Sequence, residues 1–175
     1  DLSTARHAGT GRLLFETRFP LNKLSLLAAA QADPDDTEVI TELRTWFGLK
    51  YDDSDKTFTY TAQGNSAANS IKSLEEIAAE SAYRAPDFFE TLKAAIDAGS
   101  LGGSAGSGAA DAPEDSGQER PDSQILQVGA NIADQFDADD LPTTITNDWS
   151  DVPVLGVESL PYVNKLMFLG ERDSG

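Results

Sequence analysis

The sequence contains no cysteine. That absence removes disulfide frameworks, zinc–thiolate sites, paired-cysteine redox chemistry and cysteine nucleophiles from the functions open to it. Histidine is nearly as scarce. His7 is the sole example, set in a polar N-terminal stretch, and one imidazole cannot build a histidine-rich metal site or, from that position, a catalytic triad. We read it as a solvated side chain. Long hydrophobic runs are also missing. The richest, Leu21 to Ala30, is interrupted by Asn22, Lys23 and Ser25 and falls short of the ~18 residues that a membrane span requires. No signal-peptide pattern is visible, and the chain begins at Asp1, so we expect it to be a piece of a longer protein from which targeting information has been lost. Positive charge is in short supply: 13 Lys and Arg stand against 30 Asp and Glu, for a formal net charge of −17. Such a chain repels phosphate backbones and anionic lipid surfaces, so nucleic acid is not an expected partner.

What is present reads as an α+β chain in three parts. Residues 1–98 form a mainly helical part with one hairpin, 99–121 a flexible linker, and 122–175 a helix plus short antiparallel strands that pack with 1–98 or with missing chain. Residues 1–10 are polar and small, and Gly11 to Phe19 alternates loosely, as a short strand would. An apolar helix follows over residues 21–31. Asp33 as N-cap, Pro34 at the first helical position and the apolar spacing of Val39, Ile40, Leu43, Trp46 and Phe47 predict the next helix, which Gly48 ends. Leu49 to Ala62 holds two strand-like runs around the turn-rich Asp52-Asp53-Ser54-Asp55 and predicts a hairpin. Ser73 and Glu76 offer a capping box to a helix over 70–80. Another helix over 87–98 carries an apolar stripe of Phe88, Leu92, Ala95 and Ile96 and stops at Gly99.

From Gly99 to Pro121 the composition is Gly, Ser, Ala and acid, which cannot bury a core. Its glycines at 102, 103, 106 and 108 carry no lysine and lead into no helix, so they do not make a phosphate loop. Beyond it, Ile125, Val128, Ile132 and Phe136 share one face of a helix that starts near Asp122. Strands are expected at 143–146, 152–157 and 165–169. An apolar strand so close to Gly175 calls for partner strands further on, a second reason to expect a longer natural chain.

The acids cluster. Twelve lie between Asp97 and Asp151 against one base, Arg120. The tightest knot, Asp134, Asp137, Asp139 and Asp140, is the only candidate metal site, and hard oxygen donors of this kind suit calcium. The EF-hand pattern is not met: counted from Asp137, Leu141 and Pro142 stand where a ligand and a glycine are needed. The plainer reading is a helix end whose aspartates face water or cap backbone N–H groups. Trp149, Tyr162 and Phe136 could line a cleft for carboxylate-based glycoside chemistry, but aromatics in such places more often pack a core. No catalytic or cofactor-binding residue stands out, so we expect no enzyme.

The run from Asp122 to Thr143 (DSQILQVGANIADQFDADDLPT) and the motif Gly156 to Asn164 (GVESLPYVN) resemble the Verru_Chthon cassette protein A family. Arg18 to Leu24 (RFPLNKL) and Ala85 to Ile96 (APDFFETLKAAI) also look like its segments, so the likeness touches most of the chain outside the linker. The resemblance implies a large exported protein of bacterial envelopes, periplasmic or extracellular, encoded beside prepilin-like proteins. It implies a non-enzymatic structural or assembly component of a pilus-like or secretion-like surface system. Its partners would be other protein subunits, and it would meet the membrane only through an anchoring helix outside these residues. The family brings no catalytic residues. The competing expectation is an exported binding module or adhesin with an acidic, cation-binding face.

Overall fold

A computed structural model describes residues 4–16, 18–64, 68–98, 121–136 and 142–157. A 3-10 turn, Leu21–Leu24, runs into helix α1 (Ser25–Ala32), followed by α2 (Thr37–Phe47), strands β1 (Leu49–Asp52) and β2 (Thr57–Tyr60), and helices α3 (Leu74–Ala78), α4 (Phe88–Ala98) and α5 (Pro121–Asp134). Strands β3 (Thr144–Asn147) and β4 (Ser150–Leu155) close the described order. The fold is α+β, with one four-stranded mixed sheet in the order β1-β2-β3-β4. Of the expected linker 99–121, residues 99–120 lie outside the described residues and Pro121 opens α5 instead, since proline suits a first helical position; the expected strand at 165–169 also lies outside the described residues.

Local chemistry sets most of these elements. Asp36, not Asp33, caps α2: its Oδ1 accepts from the N–H groups of Glu38 and Val39. Pro34 falls in the preceding turn, where the Asp36 N–H donates to the Asp33 carbonyl. Two aspartates three residues apart offer the same cap, and the one nearer the amphipathic run takes it. Gly48 ends α2 at φ 62°, the left-handed conformation that glycine adopts without a Cβ penalty. The Ser73/Glu76 capping box forms, though α3 is shorter than the span expected for it. The hairpin pairs Leu49 with Tyr60 and Asp52 with Thr57.

The decisive contact is long-range. Strand β2 pairs parallel with β3, Phe58 against Ile145 and Thr59 against Thr146, so the described parts of 1–98 and 122–175 share one sheet and one core. A parallel pair requires a crossover, here supplied by α3, α4 and α5. A chain of ring contacts runs through that core, from Phe19 to Phe47, Phe88, Phe89, Tyr60 and Trp149, with successive centroids 5.2–5.9 Å apart. Trp149 and Phe19 are thus packing residues on opposite sides of one core.

Three packing expectations are corrected. Among the described residues of 11–19 there is no strand; Leu13 bridges Arg6, because the segment folds back on itself. In α4 the buried side chains are Phe88, Phe89, Glu90 and Ala94, while Ala95 is exposed. In α5 the core takes Ile125, Leu126, Ala130 and Ala133, and leaves Val128 and Phe136 exposed. The reason is close approach: a Cβ at Gly129 would stand 2.3 Å from the Phe89 ring, so α4 seats against the small-residue face of α5.

Candidate functional site

The densest constellation of titratable groups sits where α4 begins. Asp87 and Glu90 are both fully buried and cap the helix reciprocally. The Glu90 N–H donates to Asp87 Oδ1 at 2.9 Å, and the Asp87 N–H donates to Glu90 Oε2 at 2.9 Å. Arg84 clamps Glu90 with both guanidinium arms, at 2.6 and 2.7 Å, and reaches Glu80 through Nε and Nη2. Lys72 then bonds Glu80 at 2.8 Å. The charges therefore form a ladder from core to surface, with side-chain exposure rising from 0% at Glu90 to 18% at Arg84, 22% at Glu80 and 43% at Lys72.

At the inner end the Tyr60 hydroxyl donates to Asp87 Oδ2 at 3.1 Å. Burial first, and the neighbouring Glu90 carboxylate second, push the Asp87 carboxyl well above the usual carboxylate range; the Glu90 N–H, Arg84 and Tyr60 only partly offset this. The Tyr60 phenol is raised for the same reasons, burial and then Asp87 and Glu90. Farther out the balance reverses. Burial pushes Glu80 upward, but hydrogen bonds from Arg84 and Lys72 outweigh it and hold the group below its ordinary value. Gly48 closes the inner end, since a Cβ there would come 2.5 Å from Asp87 Oδ2 and 3.0 Å from the Tyr60 ring. Sequence reading placed Asp87 at the helix start but missed the network; the Asp-x-x-Glu spacing before an apolar run is the signal that could have found it.

His7 is not solvated, contrary to expectation. It is 1% exposed, and the Thr10 N–H donates to its Nδ1 at 3.1 Å while Nε2 meets the Glu80 carbonyl at 2.8 Å. That partner pattern places the ring proton on Nε2. The Tyr83 ring packs edge-on against it, and Arg12 covers the other ring of this pair at 3.9 Å from the Tyr83 centroid. A lone histidine in a polar stretch carries no periodic signal, so only the tertiary fold could reveal that the N-terminal segment folds over the chain after α3.

Among the metal candidates, Asp134 is buried at the end of α5, where its Oδ1 accepts the Thr143 N–H at 2.9 Å and ties the helix to the start of β3. Its Oδ2 has no hydrogen-bond partner among the described residues and faces Gly156, where it leaves no room for a Cβ. Asp137, Asp139 and Asp140 lie outside the described residues. Among the described residues no three His, Asp or Glu side chains converge to hold a metal, and no helix is long and apolar enough to cross a membrane.

The second feature is an open groove of about 380 Å³ between the 3-10 turn and α5, lined by Leu21, Leu24, Val128, Asn131, Ile132, Gln135 and Phe136. It carries no charged side chain, although the protein bears −17 overall. Leu21 is 60% and Phe136 47% exposed. Of the apolar stripe read from the sequence, Val128 and Phe136 are exposed along this groove, while Ile132 lines it and also packs against the core. Next to it, Gln127 and Gln135 donate from α5 to the carbonyls of Leu155 and Val157. With Pro153 lacking an N–H, the β4 edge is therefore blunted against pairing with another strand.

These elements define an α+β domain with a closed polar joint and an open apolar groove. Comparison with family models, with curated proteins and with solved structures finds no match to the chain.

Proposed function

We propose that this chain is a non-enzymatic structural or assembly component of an exported, pilus-like or secretion-like bacterial surface system, and that it meets neighbouring protein subunits through the groove between the 3-10 turn and α5. The groove carries the reading. Contiguous exposed apolar side chains mark interaction surfaces, and interface centres are depleted in charge, as this lining is on a chain otherwise crowded with carboxylates. The blunted β4 edge favours docking of side chains over strand addition. The resemblance of residues 122–143 and 85–96 to the Verru_Chthon cassette protein A family supports the envelope setting. The acid–base constellation at Asp87 is shut in the core at its inner end, which suits a structural role better than turnover.

These 175 residues hold no cysteine, so a thiol introduced among them is the single one they carry. Val128→Cys in the full-length gene product, expressed with its genomic neighbours and treated with a short cross-linker, should give a defined adduct with another subunit. A Val128→Asp variant should fail to assemble while keeping its fold. Normal assembly of Val128→Asp, with no adduct from Val128→Cys, would sink the reading. A prepilin-type leader upstream in the same gene would strengthen it.

A further inference from the structure

Asp87 is fully buried, and no cation is hydrogen-bonded to its carboxyl. Its Oδ1 accepts a backbone N–H, its Oδ2 meets a phenol, and the nearest guanidinium, Arg84, spends both arms on Glu90 and Glu80. Among the described residues, the charged or titratable groups facing it are Tyr60 from β2, Glu90 from α4 and Arg84 from the preceding segment, with Glu80 and Lys72 behind Arg84. Gly48, from the corner between α2 and β1, contributes only bare backbone. Two ionised carboxylates at 0% exposure sharing one guanidinium would leave one negative charge buried and unpaired, which strongly destabilises a fold. A neutral acid at Asp87 avoids that cost and keeps both hydrogen bonds, because the Tyr60 hydroxyl can accept as well as donate.

We propose that the start of α4 is a proton-held joint: Asp87 stays a neutral carboxylic acid in the folded protein near neutral pH, and its ionisation loosens α4 from β2 and from the α2–β1 corner. The joint lies at the centre of the fold, since Phe88 and Phe89 immediately after it link the aromatic chain from Phe47 to Tyr60. Protonation state at one buried atom therefore couples to the packing of three elements.

The direction follows from linkage. The folded-state value is raised, so folding takes up a proton in the window between the ordinary carboxylate value and the raised one. The contribution of Asp87 is full below that window and is lost as pH rises through it. Asp87→Asn, which retains a capping oxygen, removes this loss. Urea midpoints of the full chain measured from pH 5 to pH 8 should show the variant gaining on the wild type as pH rises. A gap between the two that is constant with pH overturns the proposal. Should the variant not fold, carbon-13 NMR of the aspartate carboxyls in the wild type decides. One resonance that keeps its protonated shift at pH 6 and moves in the Tyr60→Phe variant supports the joint. All carboxyls ionised at pH 6 refutes it.

Discussion

Helix α5 has two apolar faces, and the protein treats them in opposite ways. One presents Ile125, Leu126, Gly129, Ala130 and Ala133 to α4 and the sheet and is buried; the other leaves Val128 and Phe136 exposed along the groove beside the half-buried Ile132. Phe136, the largest of these side chains, is on the open face. What decides the buried face is how closely a neighbour can approach, and Gly129 lets the Phe89 ring reach the helix backbone.

That contrast can be tested by substitution, with urea denaturation of the full chain as the common measurement. Phe89→Ala should be the most damaging, about 3–5 kcal/mol, because it empties the space that α4, α5 and Tyr60 share. Leu126→Ala, on the buried face and fully covered, should cost about 2–4 kcal/mol. Gly129→Ala should cost about 1–3 kcal/mol by overpacking against Phe89. On the open face, Val128→Ser and Phe136→Ser should each fall within about 0.5 kcal/mol of the wild type, while Val128→Asp disrupts assembly. If Val128→Ser costs as much as Leu126→Ala, the distinction between the faces is wrong.

Much of the fold was legible where a signal is local. The hairpin around Asp52–Asp55, the left-handed Gly48 and the Ser73/Glu76 box each depend on neighbouring residues, and each formed as expected. Legibility failed where the outcome depends on what arrives from elsewhere. Asp33 and Asp36 compete for one helix start, and the turn at Pro34 settles it. The stripe Ile125, Val128, Ile132 and Phe136 obeys helical spacing, yet spacing cannot say which stripe meets a partner within the chain. His7 needed the carbonyl of Glu80, 73 positions away, to make it a core residue. The Asp87 joint likewise needs Tyr60 from a strand 27 positions back. Of the four aspartates proposed for calcium, Asp134 holds the N–H of Thr143, a contact that helix periodicity does not encode.

The parallel pairing of β2 with β3 also has a consequence in time. Thr59 and Thr146 stand 87 positions apart, so at synthesis rates of 5–20 residues per second, roughly 4–17 s separate the emergence of the two strands. Closing so long an interval is entropically costly and slows folding in general. Throughout that delay the N-terminal hairpin carries an unpaired strand edge beside Phe58 and Tyr60, both of which are fully covered once β3 docks. The nascent chain is therefore most vulnerable to wrong pairing before residue 144 appears.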